Sequence, residues 1–257
     1  MRKVGVILLS GGLDSTTVAA YARNRGYDLV AVTLRYGQKH LREVDSARKV
    51  ARALDIKQRV VDVSFFKDLA WYSALTSSGD FPIPQQRNSE QMARDIPVTY
   101  VPLRNTFFIT LAAAFLESEA LDLIERAKVD PADVEASVFI AANAIDYSGY
   151  PDCRPEFYQA MARTLFLGSK LGAQYGKQIR IETPIISKTK ADIVKMAFEL
   201  KAPIEHTWSC YEGGEAPCGK CDSCILRAKG FAEAGYEDPA IAGAGKVRRN
   251  VKGKQAA

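Results

Sequence analysis

Residues 4–20 read Val4-Gly5-Val6-Ile7-Leu8-Leu9-Ser10-Gly11-Gly12-Leu13-Asp14-Ser15-Thr16-Thr17-Val18-Ala19-Ala20: an apolar run, a double glycine and a helical period in direct succession. A continuous apolar run such as Val4 to Leu9 suits a strand covered on both faces of a parallel sheet. From Ser15 the period becomes helical, with Val18, Ala19 and Ala22 on one face, until Gly26. Two glycines at the turn let a phosphate group approach the backbone closely. A helix start supplies unpaired N–H donors and the positive end of the helix dipole. Ser10, Ser15 and Thr16 add hydroxyl donors. The competing reading is a glycine turn capped by Asp14 or Ser15, both good cap residues. The loop fits neither G-x-x-x-x-G-K-[ST] nor G-x-G-x-x-G.

Working outward, the alternation continues. Leu29 to Leu34 predicts a second strand, and Leu41, Val44, Ala47, Ala51 and Leu54 mark a second helix. Gln58 to Val63 predicts a third strand. Residues 64–97 are proline-rich and irregular, a long loop with room for one short helix. Val98 to Val101 reads as a fourth strand, and Asn105 to about Glu119 as a helix apolar nearly all round, hence buried. Leu121 to Glu135 reads as a helical excursion on the surface, and Ser137 to Ala142 as a further strand. Pro155 opens a helix, Ile179 to Glu182 is a short strand, and Ile193, Val194, Ala197 and Leu200 give the next helix its core face. A last helix spans Asp222 to Ala234. Strands alternating with helices predict an α/β fold, a doubly wound, mostly parallel sheet with right-handed crossovers.

The chain has 257 residues, 47% hydrophobic and 25% charged, which excludes a disordered or fibrous protein. The longest strongly apolar run, Phe107 to Leu116, contains Thr110 and falls short of the roughly 20 residues a membrane span needs. The basic, apolar start resembles a secretion signal only superficially, since its apolar part is short and runs into a glycine turn. It reads as the first strand, and the protein as cytoplasmic. The net charge of +5 has an address: Lys246, Arg248, Arg249, Lys252 and Lys254 follow Gly245 without an acidic residue. Without them 30 basic residues face 30 acidic ones. The tail reads as a solvated, flexible end.

Cysteines cluster near the C-terminus as Cys210-x7-Cys218-x2-Cys221-x2-Cys224, while Cys153 stands alone. In a reducing compartment such a cluster favours metal over disulfides. Four thiolates suffice for a closed, tetrahedral, structural Zn²⁺ site. Iron–sulfur ligation and a redox C-x-x-C are lesser alternatives. Gly213, Gly214 and Gly219 supply tight turns.

Several polar segments have no core explanation: 35–40 (RYGQKH), 101–105 (VPLRN), 146–154 (DYSGYPDCR) and 207–211 (TWSCY). Each follows a predicted strand or opens a helix, where an open α/β sheet has its ligand crevice. S-G-G-x-D-S after the first strand resembles the pyrophosphate loop of the N-type ATP pyrophosphatases, or PP-loop superfamily. Together with the polar segments and W-S-C…C-G-K-C-D-S-C, the chain from about Lys3 to Phe231 resembles the 7-cyano-7-deazaguanine (preQ0) synthase family.

That resemblance implies an adenine nucleotide alpha hydrolase-like fold with a small C-terminal zinc-binding segment. The division would be an ATP pyrophosphatase-like domain at 1–207, a four-cysteine zinc-binding segment with its helix at 208–235, and the basic tail at 236–257. It implies conversion of 7-carboxy-7-deazaguanine and ammonia to the nitrile with ATP and Mg²⁺, through adenylated acid and amide. Leu9, Ser10, Gly11, Gly12, Leu13, Asp14, Ser15, Thr16, Thr17, Val18 and Ala19 would form the ATP loop. Asp14, Lys190 and Arg104 would be catalytic. Arg104, Asn105, Asp146, Tyr147, Tyr150, Asp152 and Arg154 would contact the deazapurine. A homodimer without membrane or stable nucleic-acid partner is implied. For Lys190 the plain alternative is a solvated first-turn lysine. For Arg104 and Asn105 it is pairing and helix capping, for Tyr147 and Tyr150 half-buried packing, and for Cys153 a packing or pocket role. His40 is placed on the ligand side and His206 is structural. The rival functions are a related enzyme acting on a tRNA base, by thiolation or amidation, and a zinc-ribbon nucleic-acid binder.

Overall fold

The computed structural model describes residues 1–37, 42–76, 81–86, 96–143 and 150–241. Its sheet has five strands: β1 (Arg2–Leu8), β2 (Asp28–Arg35), β3 (Lys57–Asp62), β4 (Val134–Phe139) and β5 (Ile179–Glu182), in the order β3-β2-β1-β4-β5. All four pairings are parallel. The strand order reverses beside β1, so the connections that leave the carboxyl ends of the paired strands β1 and β4 part there and leave the crevice of an open sheet.

Alternation along β1 splits the core into two layers. Ile7 and Leu9 pack on one face with α1 (Leu13–Asn24), α2 (Arg42–Ala53), α7 (Lys190–Glu199) and α8 (Asp222–Ala234). Val6 packs on the other with α3 (Phe66–Leu69), α4 (Arg104–Leu121) and α6 (Lys170–Tyr175). α5 (Pro155–Gly168) closes a smaller cluster around Ile109, Tyr158 and Met161.

Three expectations change. Val98 to Val101 forms a turn, closed by Tyr100 N–H donating to the Pro97 carbonyl at 2.8 Å. Pro97 and Pro102 bracket the run and cannot themselves donate to a ladder, so a strand could not extend past its four residues. The excursion near 121–135 is no separate helix. α4 runs into a π turn (Asp122–Arg126), a 3₁₀ turn (Pro131–Asp133) capped by the Asp130 side chain follows, and β4 starts already at Val134. α4 is buried at Ile109, Ala112, Ala113, Leu116 and Ala120, but Thr110, Ala114 and Ser118 form an exposed stripe at helical spacing. Among the described residues no helix is long and apolar enough to cross a membrane.

Candidate active site

The crevice holds a cavity of about 310 Å³, lined from the phosphate loop by Leu9, Ser10, Gly12, Leu13, Asp14 and Ser15. Gly12 is the N-cap of α1, and no side chain caps the helix. The capped-turn alternative therefore fails, and the first-turn N–H groups face the cavity as donors for an anion. Ser10 Oγ and Ser15 Oγ lie 3.0 Å apart, and Ser15 Oγ donates to the Gly12 carbonyl at 3.1 Å. Gly11 stands behind the loop with φ +83°. A Cβ there would come within 2.5 Å of the Ala47 nitrogen and the Glu43 carbonyl oxygen. Only glycine lets α2 pass so close. Thr16, Thr17, Val18 and Ala19 do not line the cavity. They are buried in or against the core, and Thr17 Oγ1 donates to the Leu13 carbonyl at 2.9 Å.

Lys190 crosses from the other half of the sheet. Its Nζ donates to both Asp14 oxygens, at 3.0 and 2.7 Å, and the residue is only 9% exposed. A solvated first-turn lysine is thereby excluded. Thr189 caps α7 in a reciprocal box with Asp192, and Asn143, just beyond β4, donates to the Lys188 carbonyl at 2.6 Å. Gly230 of α8 receives the lysine stem: a Cβ there would lie 2.3 Å from Lys190 Cγ.

Opposite the loop, Arg104 and Asn105 line the cavity with Tyr36, Glu43, Tyr150 and Cys153. Arg104 donates to Tyr36 and lies over its ring, 5.9 Å from the centroid. Burial works against the Arg104 charge, but Tyr36, Tyr150 and Asp152 together hold its pKa above the ordinary range. Burial pushes Glu43 up to about 7, with Arg104 restraining the shift. Burial, then Asp152, pushes the Cys153 thiol up to about 11, so it rests protonated. Leu103, not Asn105, is the N-cap of α4, at φ +53°. Asn105 Nδ2 instead donates to the Asp152 carbonyl at 3.1 Å. Asp152 is buried behind the wall, and its carbonyl also accepts from Tyr158 at 2.8 Å. The Tyr150 hydroxyl lies 2.7 Å from Thr99 Oγ1. Arg154 is exposed as the N-cap of α5 and lies outside the cavity lining. Asp146, Tyr147, His40 and the basic tail fall outside the described residues. His206 is paired with Glu205 on the surface.

The remaining wall comes from the cysteine segment, through Trp208, Ser209, Tyr211 and Arg227. Trp208 N–H donates to the Gly11 carbonyl at 2.9 Å, joining the two loops. Arg227, 6% exposed, forks onto Asp238 at 2.6 and 2.9 Å and donates to Ser209 Oγ at 2.9 Å. Glu43 and Arg227 carried no signal in the sequence, since each sits one place from an apolar residue that sets its helix face. The four sulfurs of Cys210, Cys218, Cys221 and Cys224 all lie within 4.8 Å of one another. Tetrahedral metal–thiolate bonds of about 2.3 Å would set sulfurs roughly 3.8 Å apart, so the cluster fits a closed metal site. Cys218 N–H donates to Cys210 Sγ at 3.3 Å, and Cys221 N–H to Cys218 Sγ at 3.4 Å, the kind of donors that stabilise thiolates. Gly213 and Gly219 take φ +66° and +70° in the connecting turns. Residues 81–86, which carry no sequence signal for this site, reach the loop through Gln86 N–H to the Lys220 carbonyl at 2.9 Å.

The family model described as queuosine biosynthesis protein QueC matches residues 4–235. The 7-cyano-7-deazaguanine synthase of Thermoplasma acidophilum is 47% identical over 93% of this chain and 91% of its own. That of Trichodesmium erythraeum is 44% identical over 91% of this chain and 98% of its own. Among solved structures, NMN synthetase of Francisella tularensis covers 85% of this chain and 71% of its own at 15% identity, with a TM-score of 0.39.

Proposed function

The chain belongs to the queuosine biosynthesis protein QueC family, and from that premise we propose that it is an ATP-dependent carbon–nitrogen ligase. It converts 7-carboxy-7-deazaguanine and ammonia to 7-cyano-7-deazaguanine, the preQ0 precursor of queuosine or archaeosine. The observation that carries this reading is the 47% identity to a synthase of that name over nearly the whole chain. The uncapped phosphate loop paired with Lys190 supports it.

An anionic carboxylate is a poor electrophile. Adenylation removes its charge and installs a leaving group, ammonia then gives the amide, and a second adenylation on the amide oxygen lets AMP depart and leaves the nitrile. Both adenylations develop charge on phosphate oxygens, so preplaced donors carry the catalysis. The N–H groups of Leu13, Asp14 and Ser15, with the Ser10 and Ser15 hydroxyls, would receive the pyrophosphate. Lys190 would neutralise it. Asp14 would be the residue that offers a carboxylate to Mg²⁺, which would help neutralise the phosphate charge. Arg104, Asn105 and Tyr150 face the acid substrate, with Asp152 behind them holding Asn105. Asp146, Tyr147 and Arg154 would complete the contacts to the deazapurine. Zn²⁺ suits four thiolates best and would be structural. In this reading residues 1–207 form the catalytic body, 208–235 a metal-held wall and 236–257 a tail, in a cytoplasmic homodimer without stable nucleic-acid partner.

Purified protein given ATP, Mg²⁺, ammonium and 7-carboxy-7-deazaguanine should form the nitrile with AMP and pyrophosphate. A zinc-replete protein that consumes no ATP with this acid would refute the reading.

A further inference from the structure

We propose that Glu43 is the base that releases ammonia from ammonium at this site, an inference that rests on the function proposed above. The chemistry demands such a group. At neutral pH the dissolved nitrogen is nearly all ammonium, which has no lone pair to attack a carbonyl. Amide formation from ammonium and an acyl adenylate also liberates two protons, and the site must give them somewhere to go.

Among the described residues only two carboxylates line the cavity, Asp14 and Glu43. Asp14 is held by Lys190 through both its oxygens, so a proton taken there would break the ion pair. Burial raises the phenols of Tyr36 and Tyr150, and Cys153 holds its proton to about pH 11. Those groups keep their own protons at working pH and take up none from ammonium. Glu43 opens α2 and its carbonyl oxygen lies against Gly11 of the phosphate loop. It shares the cavity wall with the Arg104 guanidinium of α4, whose charge acts on it, and with Tyr36, just past β2, which interacts with both. It therefore lies between the loop that would hold the nucleotide and the arginine that would hold the acid. Its affinity for protons, raised to about 7 by burial, suits a base that must both take and return a proton near neutrality.

In the step itself the Glu43 carboxylate takes one proton from ammonium, leaving ammonia and a neutral carboxyl. The nitrogen lone pair forms the C–N bond to the adenylated carbonyl carbon, and the C–O bond to AMP breaks with its electron pair on the phosphate. The new nitrogen loses its second proton to water, and Glu43 returns its own to solvent.

The test is Glu43→Gln in the zinc-replete protein, an amide of the same size. Ammonium-dependent nitrile formation should fall about 100-fold. Acid-dependent exchange of pyrophosphate into ATP, which needs no ammonia, should stay within about twofold of wild type. The wild-type rate at fixed total ammonium should rise to about pH 7 and level off, while the variant's should keep climbing with free ammonia. Hydroxylamine, already a free base at neutral pH, should restore the variant to near the wild-type rate. A variant with unchanged ammonium turnover and pH profile overturns the proposal. So does one that loses exchange and turnover in equal measure, since that outcome assigns Glu43 to binding. Failure of the functional reading shows separately, as a wild-type protein with neither exchange nor nitrile.

Discussion

The phosphate loop and the cysteine loop face each other across one cavity, and they are held by opposite means. The phosphate loop inherits its shape from the main core. Ile7 and Leu9 anchor the strand before it, and Val18, Ala19 and Ala22 anchor the helix after it, all essentially inaccessible. The cysteine loop belongs to a separate small cluster in which the buried members are Cys210, Cys221 and Cys224 themselves, flanked by partly buried Ile83, Trp208 and Tyr211. Little apolar area holds that wall, so in the proposed reading a metal on the four sulfurs would hold it. One wall is a product of burial, and the other would be a product of coordination. They meet where Trp208 donates to Gly11 and where Gly230 receives Lys190.

The largest effect should come from breaking the coordinated wall alone. Stripping the metal with a chelator, or Cys221→Ser, removes a constraint that in small metal-held peptides reaches on the order of 10 kcal/mol. Turnover should drop by more than about 100-fold, because Trp208, Ser209 and Arg227 lose their places. Hydrogen exchange should then show amides 208–227 opening while β1 and β4 stay protected. Cooperative unfolding of the whole chain would show that the two walls are not independent.

Next comes the ion pair on the cavity wall, Asp14 with Lys190. Asp14→Ala leaves Lys190 as a nearly buried cation with its carboxylate gone, which should cost about 3 kcal/mol. Lys190→Ala leaves behind the more exposed partner, since the side chains are 10% and 24% accessible for lysine and aspartate. It should cost about 1 kcal/mol. Urea denaturation of both variants checks the order, and equal losses would mean that the pair is solvated in solution.

The contact points give smaller effects that separate stability from rate. Gly11→Ala meets immovable backbone at 2.5 Å in a left-handed conformation and should cost about 2–3 kcal/mol. Gly230→Ala meets only the lysine stem, which can swing aside. It should cost about 1 kcal/mol yet slow the reaction about tenfold, because Lys190 leaves Asp14. If Gly230→Ala kept full turnover, the lysine would not need its seat on α8.

How much of this was legible beforehand divides along the same line. The burial-made wall was readable because its signals are local: an apolar run ending in S-G-G-L-D-S specifies strand, turn and helix within a dozen residues. The four sulfurs were readable for the same reason, as spacing. What escaped was made by tertiary placement. Pro97 and Pro102 turned an apolar tetrapeptide into a turn. The loop at 81–86 found its partner at Lys220, and Arg227 found Asp238 and Ser209, through contacts that no period encodes.

The smallest effect tests Glu43, which joins the walls' two halves of the chemistry. Burial raises its carboxyl from 4.5 to about 7 in the folded protein. Between those values the folded chain keeps a proton that the unfolded chain has released, so stability from this group is full below about pH 4.5 and is lost as pH rises through 7. Glutamine never ionises. The stability difference between Glu43→Gln and wild type should therefore be flat below about pH 4.5, move in the variant's favour between about pH 4.5 and 7, and level off above pH 7. The gain should be on the order of 1 kcal/mol, since partial exposure screens the buried charge. Urea midpoints taken from pH 5 to pH 8.5 measure that difference directly. A variant that is slower with ammonium but more stable in alkali would mark Glu43 as a residue kept for its proton at the cost of the fold. A difference that does not vary with pH would mean that the carboxyl ionises as freely as in the unfolded chain.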